Sequence, residues 1–200
     1  MNQGIFFLVA GPAGVGKTTL LKRLVAEEGN LVKAISVTTR PPREGEVDGV
    51  AYHFWDVERF EDAVRRGEFL EHAIVHRQHH YGTLAQFVLQ KLEAGADVVK
   101  DIDVQGAAQV VARPDFAGRV VTIFVMPPSH EELVNRLKGR SSEDEKIQAE
   151  RLKTAENELA RASEFQYIVI NDDIERAMQE LKAIYIAEHC RSRRRLPAPL

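Results

Sequence analysis

The chain has 200 residues, 44% of them hydrophobic, 28% charged and 7% aromatic, with a formal net charge of -3. That is enough apolar chain to bury one real core, and it excludes disordered, collagen-like and disulfide-scaffold classes. Four of the 27 basic residues lie in the last ten, leaving 23 basic against 30 acidic before them, a net of -7 that speaks against a general nucleic-acid binder.

Residues 1–16 carry no charge, but they lack a basic n-region, and Gly11, Pro12, Gly14 and Gly16 interrupt the apolar run, so no signal peptide is predicted. No stretch approaches the length of a membrane span. The single Cys190 has no internal disulfide partner, which fits a reducing compartment and makes cytoplasm the default.

Apolar runs at 5–10, 97–103, 120–125 and 165–170 predict strands. Helical periodicity appears at 18–28, 84–94, 129–138, 143–163 and 173–189. This alternation predicts an α/β domain with a mainly parallel sheet. Ser129 and Glu132 have capping-box spacing, and Gly95 suits a helix stop. Residues 37–83, rich in Arg, Gly, His and Tyr, read as an inserted subdomain with short β-like pieces at 52–55, 69–71 and 74–76. Residues 127–153 open on Pro127-Pro128, are strongly charged, and read as a helical flap hinged on the core. The core is then 1–36, 84–126 and 154–200. The tail from Arg191 reads as a solvated, frayed end.

The most specific motif is Gly11-Pro12-Ala13-Gly14-Val15-Gly16-Lys17-Thr18, which fits G-x-x-x-x-G-K-[ST] at every fixed position, directly after a strand and before a helix. Such a loop turns backbone N–H groups inward around phosphate oxygens at a helix N-terminus whose dipole favours anions. Lys17 would bridge the β- and γ-phosphates of a bound nucleotide, and the Thr18 hydroxyl, followed by Thr19, would ligate Mg²⁺.

Further along stand Ser36-Val-Thr-Thr-Arg40-Pro-Pro-Arg43-Glu-Gly45-Glu46, then Tyr52 and Phe54, Phe69-Leu70-Glu71, and Tyr81-Gly82-Thr83. Asp101-Ile-Asp103-Val-Gln-Gly106, Pro127-Pro128-Ser129, Arg136, Arg140, Arg151 and Ile170-Asn171-Asp172-Asp173 follow. In this order and spacing the chain resembles the guanylate kinase family over nearly its whole length. The resemblance implies a P-loop core with a GMP-binding insertion and a lid, and the reaction of ATP with GMP (or dGMP) to give ADP and GDP. It implies that Arg40, Arg43, Tyr52 and Tyr81 hold the GMP phosphate, and that Ser36, Glu71 and Thr83 face guanine. Asp103 would lie near the guanine amino group. Asp101 would orient Lys17 or hydrated Mg²⁺, Arg136, Arg140 and Arg151 would act from the lid, and Asn171 would lie near adenine. The implied partners are these nucleotides, with neither nucleic acid nor membrane.

These residue types suit the chemistry. Two arginines three apart in a Pro-stiffened turn offer planar forks to one phosphate. A carboxylate such as Glu71 accepts from guanine N1–H and the 2-amino group together, whereas adenine N1 would face it with a lone pair. The acceptor phosphate is largely a dianion at neutral pH, so no general base is required.

The chain departs from the family pattern in several places. The stretch from Glu71 to Tyr81 is one residue longer, and His72, His76, His79 and His80 crowd it. With no Cys nearby these read as a polar rim rather than a zinc site. Lys100 replaces an apolar residue inside a strand, where an unpaired ammonium would be costly. Ser141-Ser142 stands in place of Gly-Thr in the lid, and Gln166 in place of Asp. Two other readings are a non-catalytic guanylate-kinase-like peptide-binding domain, and a P-loop kinase for another phosphorylated small molecule. The intact P-loop and the complete set Ser36, Glu71 and Thr83 weigh against them.

Overall fold

A computed structural model describes residues 3–75, 78–138 and 145–191. In chain order the elements are β1 (Phe6–Ala10), α1 (Lys17–Glu27), β2 (Leu31–Lys33), β3 (Val37–Thr38), β4 (His53–Phe54), α2 (Val57–Arg65), β5 (Phe69–Val75) and β6 (His79–Leu84). They continue with α3 (Ala85–Glu93), β7 (Asp97–Asp101), α4 (Val104–Val111), β8 (Val120–Met126), α5 (His130–Lys138), α6 (Glu145–Ala160), β9 (Tyr167–Ile170) and α7 (Ile174–His189).

Five strands form one sheet in the order β2-β7-β1-β8-β9, and every pairing within it is parallel. β1 lies at its centre with all five residues buried. Side chains alternate across a strand, so Phe7 and Val9 point to one face and Phe6 and Leu8 to the other. Phe7 and Val9 pack with Leu20, Leu21 and Leu24 of α1 and with Ala177, Met178 and Leu181 of α7. Phe6 and Leu8 pack with Val88 and Leu92 of α3 and with Ala107 and Val110 of α4. Two covered faces explain why these strands read as unbroken apolar runs. This is the α/β core with a central parallel sheet expected from the sequence.

A second sheet, ordered β4-β3-β6-β5, is mixed: β3 runs parallel to β4 and antiparallel to β6. β5 is one strand spanning two of the pieces expected at 69–71 and 74–76. It is antiparallel to β6, with a shift of register between Phe69 and Glu71 and regular pairing from Glu71–Thr83 to Val75–His79. His76 lies outside the described residues.

Five elements lie outside the expected ones: β2, β3, β6, α2 and α4. β2 has only three residues, too few for a periodic signal. α2 starts at Asp56, whose carboxylate accepts from Arg59 N at 2.7 Å, and buries Phe60 and Ala63 beneath the second sheet. α4 is likewise started by Asp103, which accepts from Gly106 N at 2.7 Å. Of the expected capping box on α5, the Ser129 half forms, with Glu132 N donating to Ser129 Oγ at 3.1 Å. The Glu132 carboxylate instead accepts from Arg136 Nε at 2.8 Å. No helix among the described residues is long and apolar enough to cross a membrane.

Candidate active site

The P-loop joins β1 to α1 at the C-terminal end of the parallel sheet, where ligands of open α/β sheets bind. Gly16, at the cap of α1, has φ 100°, a left-handed value, and a Cβ there would run into the Asn171 amide. Gly11 has φ 142°, and a Cβ would meet the Val125 carbonyl. Glycine is required at both places. α1 has no side-chain cap, in contrast to α2, α4 and α7, so its first N–H groups are left for a ligand. Ala13 is exposed and Val15 is buried. Thr19 N closes the first turn onto Gly16 O at 3.1 Å.

Lys17 folds back over this loop. Its Nζ donates to Gly11 O at 2.6 Å and to Pro12 O at 3.2 Å, and lies 3.9 Å from Asp101 Oδ1. Burial pushes the Asp101 carboxyl above its ordinary value, against the opposing charges of Lys17 and Lys100. Thr18 is exposed at the start of α1.

A cleft of about 380 Å³ opens between the two sheets. Thr18, Ser36, Asp101 and Asp103 line it from the P-loop side, and Tyr52, Glu71 and Tyr81 from the second sheet. Lys100 joins them. Thr83 stands behind Glu71 rather than on the cleft wall: it is 1% exposed, and its Oγ1 donates to Glu71 Oε1 at 2.7 Å. The cross-strand register Glu71–Thr83 puts the pair side by side.

Arg40 is mostly buried, with its guanidinium 5.5 Å from the Tyr52 ring centroid. Its Nη2 donates to Glu46 Oε1 at 2.8 Å, while Glu46 Oε2 accepts from Arg43 N at 2.8 Å. Glu46 thus pins both ends of the arginine turn, and its hydrogen bond is the main cause raising the Arg40 pKa. The sequence displayed Glu46 without suggesting this role. Arg43 itself is exposed on the loop. Tyr52 and Tyr81 meet edge to face at 5.9 Å, and burial raises the Tyr52 pKa.

On the far side of the P-loop, α5 lies against Gly14, whose built Cβ would sit 3.7 Å from Arg136 Cβ. Arg136 Nη1 donates to Asn171 O at 3.1 Å. The Asn171 side chain, expected near adenine by resemblance, reaches the P-loop through its amide nitrogen. Its buried Nδ2 donates to Val15 O at 2.7 Å and braces the loop from beneath. Arg151 is half-buried on α6. Arg140 lies outside the described residues.

Glu158 of α6 has no counterpart among the sequence expectations, because a helix acid reads as surface. Its pKa is pushed up to about 7, mainly by burial; Lys17 opposes the shift, and Asp103 and Asp101 add to it. A carboxyl held above its ordinary value gives stability that is complete at low pH and lost as pH rises through about 7. Glu158→Gln should therefore raise Tm at about pH 8 by about 2–4 °C, the equivalent of ~1 kcal/mol after allowance for partial exposure. Below about pH 4.5 the Tm should stay the same. Thermal melts at the two pH values check it.

Comparison with known proteins agrees with this geometry. The guanylate kinase family model matches residues 5–188. A guanylate kinase of Caldanaerobacter subterraneus subsp. tengcongensis is 47% identical over 191 residues, 95% of this chain and 90% of the relative. One from Legionella pneumophila is 43% identical over 95% of this chain and 89% of the relative. The crystal structure of guanylate kinase from Anaplasma phagocytophilum superposes with a TM-score of 0.75 at 32% identity, covering 97% of this chain and 90% of that one. A P-loop of this form opening onto a cleft built by a second sheet, with relatives matched along nearly the whole chain, leads to one conclusion: the chain belongs to the guanylate kinase family.

Proposed function

We infer that the chain is an ATP:GMP phosphotransferase, moving the γ-phosphoryl group of ATP to GMP or dGMP. The observation that supports this most is the single cleft in which the P-loop end, with Thr18 and Asp101, faces Ser36 and Glu71. In this reading residues 37–83 are the GMP-binding insertion, 127–153 the lid, and the remainder the core. ATP phosphates occupy the loop from Gly11 to Thr19, where Lys17 exchanges its carbonyl partners for phosphate oxygens in stronger, charge-assisted bonds.

Glu71 accepts the guanine N1–H and 2-amino hydrogens, with Ser36, Thr83 and Asp103 around it. Arg40, Arg43, Tyr52 and Tyr81 hold the acceptor phosphate. Its oxygen attacks the γ-phosphorus in line, the bond from that phosphorus to the bridging oxygen breaks, and ADP leaves. Because the acceptor is already a dianion, the chain supplies alignment and charge rather than a base. Lys17 and the lid arginines Arg136, Arg140 and Arg151 neutralise the transferring group, and lid closure keeps water out.

The Thr18 hydroxyl and Asp101 carboxylate are hard oxygen donors on the same cleft wall, a set that suits Mg²⁺. Bound there with ATP, the ion would add positive charge at the phosphates. The cytoplasm, where both nucleotides are available, is the proposed location. The preformed P-loop with Lys17 in place favours catalysis over a purely peptide-binding role.

The fate of a label tests the reading. With γ-labelled ATP and GMP, the label should appear in the β-phosphate of GDP. Label recovered only in inorganic phosphate would rule out transfer to GMP.

A further inference from the structure

Lys100 lies in the core sheet, on β7 between β2 and β1, and is 5% exposed. A buried ammonium at such a place costs stability unless it is paired. Its hydrogen-bond partner is a hydroxyl rather than an acid: Lys100 Nζ donates to Ser36 Oγ, across 64 residues of sequence. Both side chains line the cleft, and so does Glu71. Burial lowers the Lys100 pKa, and the charges of Glu71 and Asp101 hold it up.

An ammonium has three donors and no acceptor, whereas a hydroxyl has one hydrogen and two lone pairs. Ser36 Oγ therefore accepts in this pair, and its own hydrogen remains free to donate into the cleft. Beside it, Glu71 presents a carboxylate that only accepts, with Oε1 already fixed by Thr83. The wall thus offers a donor next to an acceptor. A 6-keto purine shows the complement, an acceptor at position 6 beside donors at positions 1 and 2. A 6-amino purine shows the reverse at positions 6 and 1.

We propose that Lys100 is a positioning residue for base specificity: by donating to Ser36 Oγ it fixes the Ser36 hydroxyl as a donor toward position 6 of the acceptor base, favouring a 6-keto over a 6-amino purine. The proposal rests on the reading of this cleft as the GMP site. Glu71 reads positions 1 and 2, and the Lys100–Ser36 pair reads position 6. Without Lys100 the hydroxyl is free to turn and accept from a 6-amino group, so discrimination narrows.

The test is Lys100→Met, which keeps the length and apolar bulk of the side chain and removes the donor. Replacing a buried charge by such a side chain is commonly tolerated by the fold. Steady-state rates are measured with GMP and with the 2,6-diaminopurine nucleotide, which keeps the 2-amino group and reverses positions 6 and 1; the mismatch of position 1 with Glu71 is common to wild type and variant, so the change in their ratio reports position 6. The variant should raise KM for GMP about tenfold, with kcat and the KM for ATP within about twofold of wild type. The ratio of kcat/KM for GMP over the diaminopurine nucleotide should fall about tenfold. Ser36→Ala should lower the same ratio, and the double variant should fall no further than either single one.

A ratio unchanged in Lys100→Met, additive losses in the double variant, or a fall in kcat alone would overturn the role of Lys100 while leaving the GMP reading in place. Failure of the wild-type chain to phosphorylate GMP at all would overturn both.

Discussion

Lys17→Ala is expected to lower kcat for transfer from ATP to GMP by about 10³-fold, with a smaller change in KM for GMP. Lys17 is the one P-loop side chain that brings a full positive charge to the phosphates, and its side chain is only 14% exposed. Low solvent access makes that charge worth far more there than in water. The substitution also removes one of the three cations, with Lys100 and Lys33, that oppose the upward shift of the Asp101 carboxyl, and it takes a positive charge from the place where a polyanion must bind. Of the two carbonyls that Lys17 holds, Gly11 O and Pro12 O, the second also accepts from Val15 N at 3.3 Å, so the loop keeps a backbone bond and the fold should survive. Paired steady-state kinetics and thermal melts check this: activity should collapse while Tm moves by a few degrees at most. A variant with near-normal kcat would remove the mechanism.

Glu71→Gln is expected to reduce kcat/KM for GMP by about 10²-fold or more while leaving the KM for ATP unchanged. A carboxylate accepts at both oxygens, whereas an amide accepts at one and donates at the other. Guanine would then face at least one donor with a donor. Thr83 can still hold the amide oxygen, as it now holds Glu71 Oε1, so the strand pairing beneath should persist. Because the damage is confined to the base, the effect should appear as a raised KM for GMP in acceptor titrations at saturating ATP. An equal loss in the KM for ATP would show that Glu71 acts on the whole cleft instead.

The parts of the fold that were legible in the sequence were those whose cause is local. β1, β7 and β8 are buried on both faces and read as apolar runs, β9 at the sheet edge is equally apolar although Ile168 and Ile170 are exposed, and the P-loop depends on glycines a few residues apart. α4 is only eight residues long, and its start signal, Asp103, closes an apolar run that reads as strand. That residue both caps the helix and lines the cleft. α2, nine residues long between the short β-like pieces at 52–55 and 69–71, merges in the sequence with the inserted subdomain. The resemblance supplied the acceptor residues, but their support came only with the structure. Glu46 clamps Arg40, Asn171 braces Val15 from 156 residues away, and Lys100 reaches Ser36. Such bonds join segments distant in sequence, and nothing in spacing or periodicity announces them. Glu158 belongs to the same class, a helix acid whose pKa answers to Lys17, Asp101 and Asp103 on other elements.

The central claim is that one cleft selects a guanine nucleotide and passes it the γ-phosphoryl group of ATP. The most direct measurement is ADP formation by the wild-type chain with GMP, AMP, UMP or water as acceptor, at equal concentrations. Turnover with GMP should exceed that with AMP by about 10⁴-fold in kcat/KM, and water should give only background. Equal rates with GMP and AMP, or no rate with GMP, would contradict the account.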